Sequence, residues 1–426
     1  MITLPQISAT APNLITNKEA ELLICCAKTK INPETASKIE LLLQEEIDWN
    51  YLFKIAVWHK VQPLLYMSLK NTCPDQVSPS ILAYLQTNCQ KITLNNLLLS
   101  HRLINILKLL AANNIRAISF KGPILANSAY GNLSLRRFGD LDILVQKQDI
   151  PKVIELLKSQ KYQLEEYLTE TRDELQEVFC EYTLVSDDGI VYIDLHWELT
   201  PTYFPYKPKF DQLWERLQPI SLAGANVLQL SLEDSILYLC VHGCKDLWQR
   251  LSWICDLAEL ITAHPEIQWS KLWEEAKKQN CERMLLLGLF LAQDIQGINL
   301  PEAVNQRIQA SSIILKLAAE VKQRLFSQID APLDVFERSF WSWRLAFHFR
   351  VIESLKYKVL LCLFVCQFAL TPKDKDYVAL PLPNWLSGLY YLIRPIRLVI
   401  KFGITPLQRG IEWCVATFSD RKSLER

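Results

Sequence analysis

The sequence predicts an α+β protein in which a small mixed-sheet core is flanked by N-terminal and C-terminal helical domains. Three observations carry this expectation. Apolar residues recur at three-to-four spacing through residues 17–115, the pattern of helices that bury one face. From Ile115 to about residue 200 the pattern changes to short alternating runs separated by turn residues. Beyond residue 220 the helical spacing returns.

Taken in order, KEAELLICCAKT, ASKIELLLQEEI, DWNYLFKIAVWHKVQPLLYMSL and the long PSILAYL…LLAANN stretch read as helices. Asp48 is placed to cap one of them, and Pro79 suits the first turn of the last. His59, beside Trp58, reads as a packed or surface residue. IRAISF is then a strand, and GPILANSAYG a short helix with Pro123 in its first turn. DLDILV is a second strand, KQDIPKVIELLKSQ a helix capped near Asp149, and YQLEEYL a third strand. FCEYTLVS and IVYIDLHWEL form a further pair, separated by the hairpin signal Asp187-Asp188-Gly189. Residues 201–220, with four prolines and embedded aromatics, read as a linker or lid. LSLEDSILYLCVHGCKDLWQRLSWICDLAELITAH follows as a helix whose start is capped around Ser231 and Asp234. The expected division is an N-terminal helical domain (1–114), the α/β core (115–200), the linker, a helical domain (221–330) and a C-terminal helical extension (331–426).

Composition narrows the function classes. Among 426 residues half are apolar, enough for several cores, and 46 Lys+Arg balance 46 Asp+Glu. A neutral chain argues against a protein that lives by long-range attraction to nucleic acid or anionic lipid. The twelve cysteines lie scattered through apolar helical contexts without zinc-like spacing, which with the absence of a signal-peptide pattern at the start predicts a reducing, cytoplasmic location. The apolar run Val359–Leu370 falls short of the ~20 residues a spanning helix needs. It reads as a buried helix, with peripheral membrane contact as the alternative.

The chemistry concentrates in Ile118–Val145, ISFKGPILANSAYGNLSLRRFGDLDILV. Asp140 and Asp142, two apart on a strand, point to one face. Asp194 lies on a strand that can neighbour theirs, and three converging carboxylates can hold two divalent ions. The competing reading is a pair of surface aspartates and an unrelated third. Lys121-Gly122 forms a tight turn at a helix N-terminus, a place that favours phosphate. Pro123 removes one donor there. Arg136 and Arg137 add two guanidinium forks suited to phosphate, Arg137 foremost, or else a solvated loop. His196, on the face of Asp194, is placed to position metal-bound water or phosphate, or to hydrogen-bond structurally beneath the site. His242, Lys245, Asp246, Gln249, Trp253 and Asp256 make a polar stripe on one expected helix, either an acceptor- or base-side surface or an interdomain seam. Trp385, Tyr390, Tyr391, Arg394 and Arg397 interleave aromatics with arginines. Helical packing is the expectation for them, and nucleic-acid contact is not.

FKG, RRFGDLDILV and IDLHWEL resemble the uncharacterised nucleotidyltransferase family of bacterial proteins within the polymerase-β-like superfamily. The upstream DWNYLFKIAVWHKVQPLLY, the downstream VHGCKDLWQRLSWICDLAEL and the terminal TPKDKDYVALPLPNWLSGLYYLIRPIRL are similar as well, so the resemblance runs from about Asn17 to Phe402. It implies a nucleotidyltransferase-like core that transfers a nucleotidyl group from an NTP, with Mg²⁺ or Mn²⁺ held by three acids. Asp140 and Asp142 match the DxD, Asp194 the third acid, and Gly122 the glycine of the strand–helix turn. Lys121-Gly122-Pro123 departs from the Gly-Ser or Gly-Gly usual there. The expected partners are a nucleoside triphosphate and an acceptor hydroxyl on a small molecule or protein. Two other readings stand beside it: a non-catalytic nucleotide-binding or scaffold protein of a biosynthetic gene cluster, and a toxin-like nucleotidyltransferase acting on RNA or a partner protein.

Overall fold

The computed structural model describes residues 17–165, 172–327, 343–372 and 374–402. Lys18–Cys26, Pro33–Leu43, Trp49–Trp58 and Gln62–Thr72 are short helices, and Pro79–Ala112 is a 34-residue one. Asp48 accepts from the Tyr51 backbone N–H at 3.0 Å, the expected cap. The stretch read as one helix from Asp48 breaks in two. Lys60 adopts φ +57° and Pro63 enters the first turn of the next helix, where its missing N–H costs nothing. His59 is fully buried and its Nδ1 accepts from the Leu251 N–H at 3.0 Å, a packed residue as expected.

The sheet has the order β1-β2-β5-β4-β3, built from β1 (Ala117–Ser119), β2 (Asp140–Val145), β3 (Tyr162–Leu164), β4 (Glu181–Ser186) and β5 (Tyr192–His196). β2 and β5 run parallel and the other neighbours antiparallel, the mixed sheet expected. The remainder of YQLEEYL beyond Glu165 lies outside the described residues. Asp149 makes no side-chain cap bond, and a 3₁₀ turn opens its helix instead.

Alternation on β2 divides two cores. Leu141, Ile143 and Val145 join one with Ile193 and Leu195 of β5 and with Leu99, Leu103 and Leu110 of the long helix. Leu144 faces the other way, into a core that unites the N-terminal helices with those between Leu232 and Leu325. The acid-bearing face of the sheet therefore looks toward the helical core.

Three expectations are corrected. Residues 201–220 are not an open linker: they hold the helix Phe210–Glu215 and the start of β6 (Gln218–Leu222), which pairs with β7 (Ala225–Gln229). Tyr203, Phe204 and Tyr206 are buried, so the aromatics, not the prolines, decide the fate of this stretch. The long helix after Ser231 is two, Leu232–Lys245 and Leu251–Ala263, interrupted where Leu247 and Trp248 take positive φ. Gly243 makes room for this break, since a Cβ there would meet the Trp248 ring at 2.4 Å. Val359–Leu370 lies in the helix Leu355–Leu370, but among its described side chains only Leu361 is buried; Val359, Leu363, Val365 and Leu370 face outward.

Candidate active site

Register builds the site. Asp142 pairs directly with Asp194 across the parallel β2–β5 ladder, and Leu144 with His196. Asp140, Asp142, Asp194 and His196 thus share one face, as period-two alternation requires. On the other side of β5, Thr183 pairs with Asp194 and Glu181 with His196. Thr183 Oγ1 donates to Asp194 Oδ1 at 2.9 Å, and His196 sits between Asp142 Oδ1 (3.3 Å from Nε2) and Glu181 Oε2 (3.2 Å from Nδ1). A ligand atom from each of Asp142, Asp194 and His196 falls within a set spanning no more than 4.8 Å.

Electrostatics separate the two acids. Burial pushes the Asp142 carboxyl up, but Lys121 and His196 outweigh it and hold it well below the usual carboxylate range. For Asp194 the balance is reversed: burial, then the Asp142 and Asp140 charges, push it up to about 6, against the pull of His196 and Thr183. Two like charges in register, one buried and one half-buried, form a site that a cation stabilises. Two carboxylates and an imidazole are also a donor set fit for a divalent ion. Glu181 would orient the imidazole from behind.

The Lys-Gly-Pro turn closes over the acids. Gly122 has φ +51°, and a Cβ on it would lie 3.3 Å from the Asp140 carbonyl oxygen, so both conformation and close approach call for glycine. Lys121 Nζ reaches Asp142 Oδ1 at 3.0 Å and lies over the rings of Phe120 and Tyr238. Burial disfavours its charge, yet Asp142, Tyr238 and Asp140 raise its proton affinity well above the ordinary lysine value. Lys121 is therefore engaged with an acid, not free for phosphate as the sequence suggested.

The two arginines part company. Arg136 is buried and forked onto Asp256, Nε to Oδ1 at 2.8 Å and Nη2 to Oδ2 at 2.9 Å, while Tyr130 Oη donates to the same Oδ1 at 2.8 Å. Its remaining nitrogen reaches the Gly122 carbonyl at 3.4 Å. Arg136 thus ties the turn to the helix Leu251–Ala263, which corrects its expected role as a phosphate ligand. Asn96, buried on the long helix, donates to the Leu133 and Arg136 carbonyls at 2.6 and 2.8 Å and fixes the loop from below. Among the described residues, Arg137 donates to the neutral Gln62 Oε1, at 3.2 Å. Beside it stand Lys60 and Arg250. Burial lowers the Lys60 ammonium, Asp140 pulls it up, and Arg250, Arg136 and Arg137 push it further down. This cationic group on the Asp140 side escaped sequence reasoning because its members come from residues 60, 137 and 250.

Asp140 stands on the acid face but outside the close donor set; the structure places His196 there instead. Of the expected polar stripe, His242 and Lys245 lie on one helix and Trp253 and Asp256 on the next, so helical spacing does not unite them. Folding does: an aromatic column runs from Phe120 through Tyr238 (5.1 Å, edge-on) and His242 (5.8 Å, stacked) to Trp253 (5.2 Å, edge-on). His242 Nδ1 and Lys245 Nζ approach Asp246 Oδ2 at 3.2 and 3.4 Å. Burial raises the Asp246 carboxyl, but Lys245, His242, Arg344 and Lys121 together hold it at about 2. In the terminal cluster Arg394 and Arg397 each lie 2.7 Å from Asp376, and the Tyr390 hydroxyl bonds the Leu380 carbonyl and Leu382 N–H, consistent with packing. The side chain of Trp385 lies outside the described residues.

The sequence model of the uncharacterised nucleotidyltransferase family matches residues 45–297. The chain belongs to this family, and transfer of a nucleotidyl group is the function class the membership carries. Two solved structures are similar at 13% identity. The solution structure of the antibiotic-resistance factor ANT(2'')-Ia covers 42% of this chain and 89% of its own, with a TM-score of 0.29. The crystal structure of an antigenic nucleotidyltransferase-like protein from Paracoccidioides brasiliensis covers 50% of this chain and 96% of its own, with a TM-score of 0.28. No curated protein sequence matches.

Proposed function

We propose that the protein moves a nucleotidyl group from a nucleoside triphosphate to an acceptor hydroxyl, using Mg²⁺ or Mn²⁺ bound at Asp142 and Asp194 with His196 alongside. The observation that carries this is the register pairing of a buried carboxylate, Asp142, with a half-buried one, Asp194, on adjacent parallel strands. A divalent ion bound there would neutralise triphosphate charge and steady the in-line displacement. The imidazole in the donor set suits Mn²⁺ better than Mg²⁺.

The protein's own groups have distinct tasks in this reading. Arg137, Lys60 and Arg250 hold phosphate oxygens at the Asp140 end; Arg136 and Gly122 fix the turn that shapes it. The acceptor oxygen attacks the α-phosphorus, a P–O bond forms, and the bond to the β-phosphate breaks to release pyrophosphate. Asp194, beside the ion it would help to hold, is the carboxylate placed to take the hydroxyl proton. The column from Tyr238 to Trp253 offers a stacking surface for the base or the acceptor. The division into an N-terminal helical domain, a catalytic core and a substrate-side helical domain belongs to the same proposal.

One observation favours a second reading. Lys121 already neutralises Asp142, which suits a protein that binds nucleotide without turnover. Incubation with α-labelled NTPs and a cell extract separates the two. Label transferred by the wild type but not by Asp142→Asn or Asp194→Asn supports catalysis, and its appearance in small molecule, protein or RNA names the acceptor. Divalent-dependent nucleotide binding with no transfer supports the second reading. No nucleotide binding at all contradicts both.

A further inference from the structure

We infer that the C-terminal helical face is a docking surface for an anionic membrane. The inference is independent of the reaction proposed above. Twelve of the 22 large apolar side chains exposed among the described residues lie between Leu355 and Ile396, a tenth of the chain. They include Val378 at 81% exposure, Leu392 at 65% and Leu363 at 59%. Such density exceeds scattered surface leucine and marks an interaction surface.

The segment that presents this patch is built. Leu361 is buried in the main core, and Phe364 stacks on Tyr203 at 4.4 Å. Tyr390 ties the backbone of Leu380 and Leu382, while Asp376, fully buried, is clamped by Arg394 and Arg397. The inner side of the helices Leu355–Leu370 and Tyr390–Phe402 is thus anchored to the body of the protein, and the outer side is apolar.

Charge identifies the occupant. Residues 355–402 carry seven Lys/Arg against two Asp, whereas the whole chain is neutral, so the remainder is net negative. The net positive charge of this segment complements acidic lipid headgroups, and Tyr377 and Tyr391 are exposed among its apolar side chains. The same net charge disfavours a second copy, because a two-fold contact would set two positive segments against one another. No helix among the described residues is long and apolar enough to cross a bilayer, so the face lies on the surface.

The test uses the full-length protein in vesicle flotation, with phosphatidylcholine alone and with about 30% phosphatidylglycerol, at low and high salt. The wild type should float with anionic vesicles, less with neutral ones, and less as salt rises. The double variant Val378→Glu/Leu392→Glu, at side chains that support no core, should keep the wild-type melting curve and lose at least about tenfold in partitioning. Lys356→Glu/Lys358→Glu should reproduce the salt effect. Wild type that stays unbound on anionic vesicles, or apolar variants that bind equally well, would overturn the inference. So would light scattering that shows a dimer made monomeric by Val378→Glu/Leu392→Glu without vesicle binding; the face would then join two copies.

Discussion

Replacing Asp194 by Asn should stabilise the metal-free protein, and by more at neutral than at acid pH. The wild-type carboxyl has its pKa pushed from 3.8 to about 6 by burial and by Asp142 and Asp140. A group with a raised acid pKa binds more protons folded than unfolded between those values, so its contribution falls as pH rises through the window and is fully unfavourable above it. At ~1.4 kcal/mol per tenfold in proton affinity, the charged group costs about 3 kcal/mol above the window and about 1 kcal/mol near pH 4.5. Asn keeps the shape and still accepts from Thr183. Urea denaturation with chelator, at about pH 4.5 and about pH 7.5, should therefore show the Asn variant gaining about 2 kcal/mol on the wild type between the two conditions. Added Mn²⁺ should stabilise the wild type at the higher pH and leave the variant unchanged. A variant less stable than wild type by the same amount at both pH values would refute the reasoning, because it would mean that Asp194 is a satisfied structural carboxylate.

Three other perturbations probe the surrounding parts. Asp256→Asn strips Arg136 of its buried counter-charge and should cost about 3–5 kcal/mol in denaturant unfolding. Gly122→Ala forces a side chain into φ +51° against the Asp140 carbonyl, so it should cost about 1–3 kcal/mol and weaken nucleotide binding together, as seen by calorimetry and melting. Arg137→Gln and Lys60→Gln should each weaken triphosphate affinity by about tenfold, ~1.4 kcal/mol, with stability changed by less than about 1 kcal/mol. Affinity unchanged in both would remove the cationic group from the site.

The α/β core was readable because its signals are local. Alternation on DLDILV, the Asp-Asp-Gly turn and the Pro-initiated helix at Gly122 each sit within a few residues, and the strands formed where those signals put them. The DxD and IDLHWEL motifs likewise carried the family. What local patterning does not encode is partner choice across the fold. Nothing near Arg136 says that Asp256 will claim it, and nothing near Lys121 says that Asp142 and Tyr238 will. Glu181 gains meaning only from its register opposite His196, and Lys60 and Arg250 only from the packing of the N-terminal helices on Leu251–Ala263. The helix break after Lys245 was hidden because the residues around it are apolar at helical spacing, while the cause is tertiary: Trp248 turns back onto Gly243 and Gly288. The exposure of Leu355–Leu370 escaped notice for the opposite reason, since composition registers apolarity and not which side of a helix is covered.

The most direct test of the central claim is calorimetric titration of a non-hydrolysable nucleoside triphosphate into wild type and Asp142→Asn, with Mn²⁺ and with chelator. The pairing of Asp142 with Asp194 predicts binding that needs the divalent ion and falls by at least about tenfold, ~1.4 kcal/mol, in the variant. Binding equally tight in chelator, or undiminished by Asp142→Asn, would contradict it.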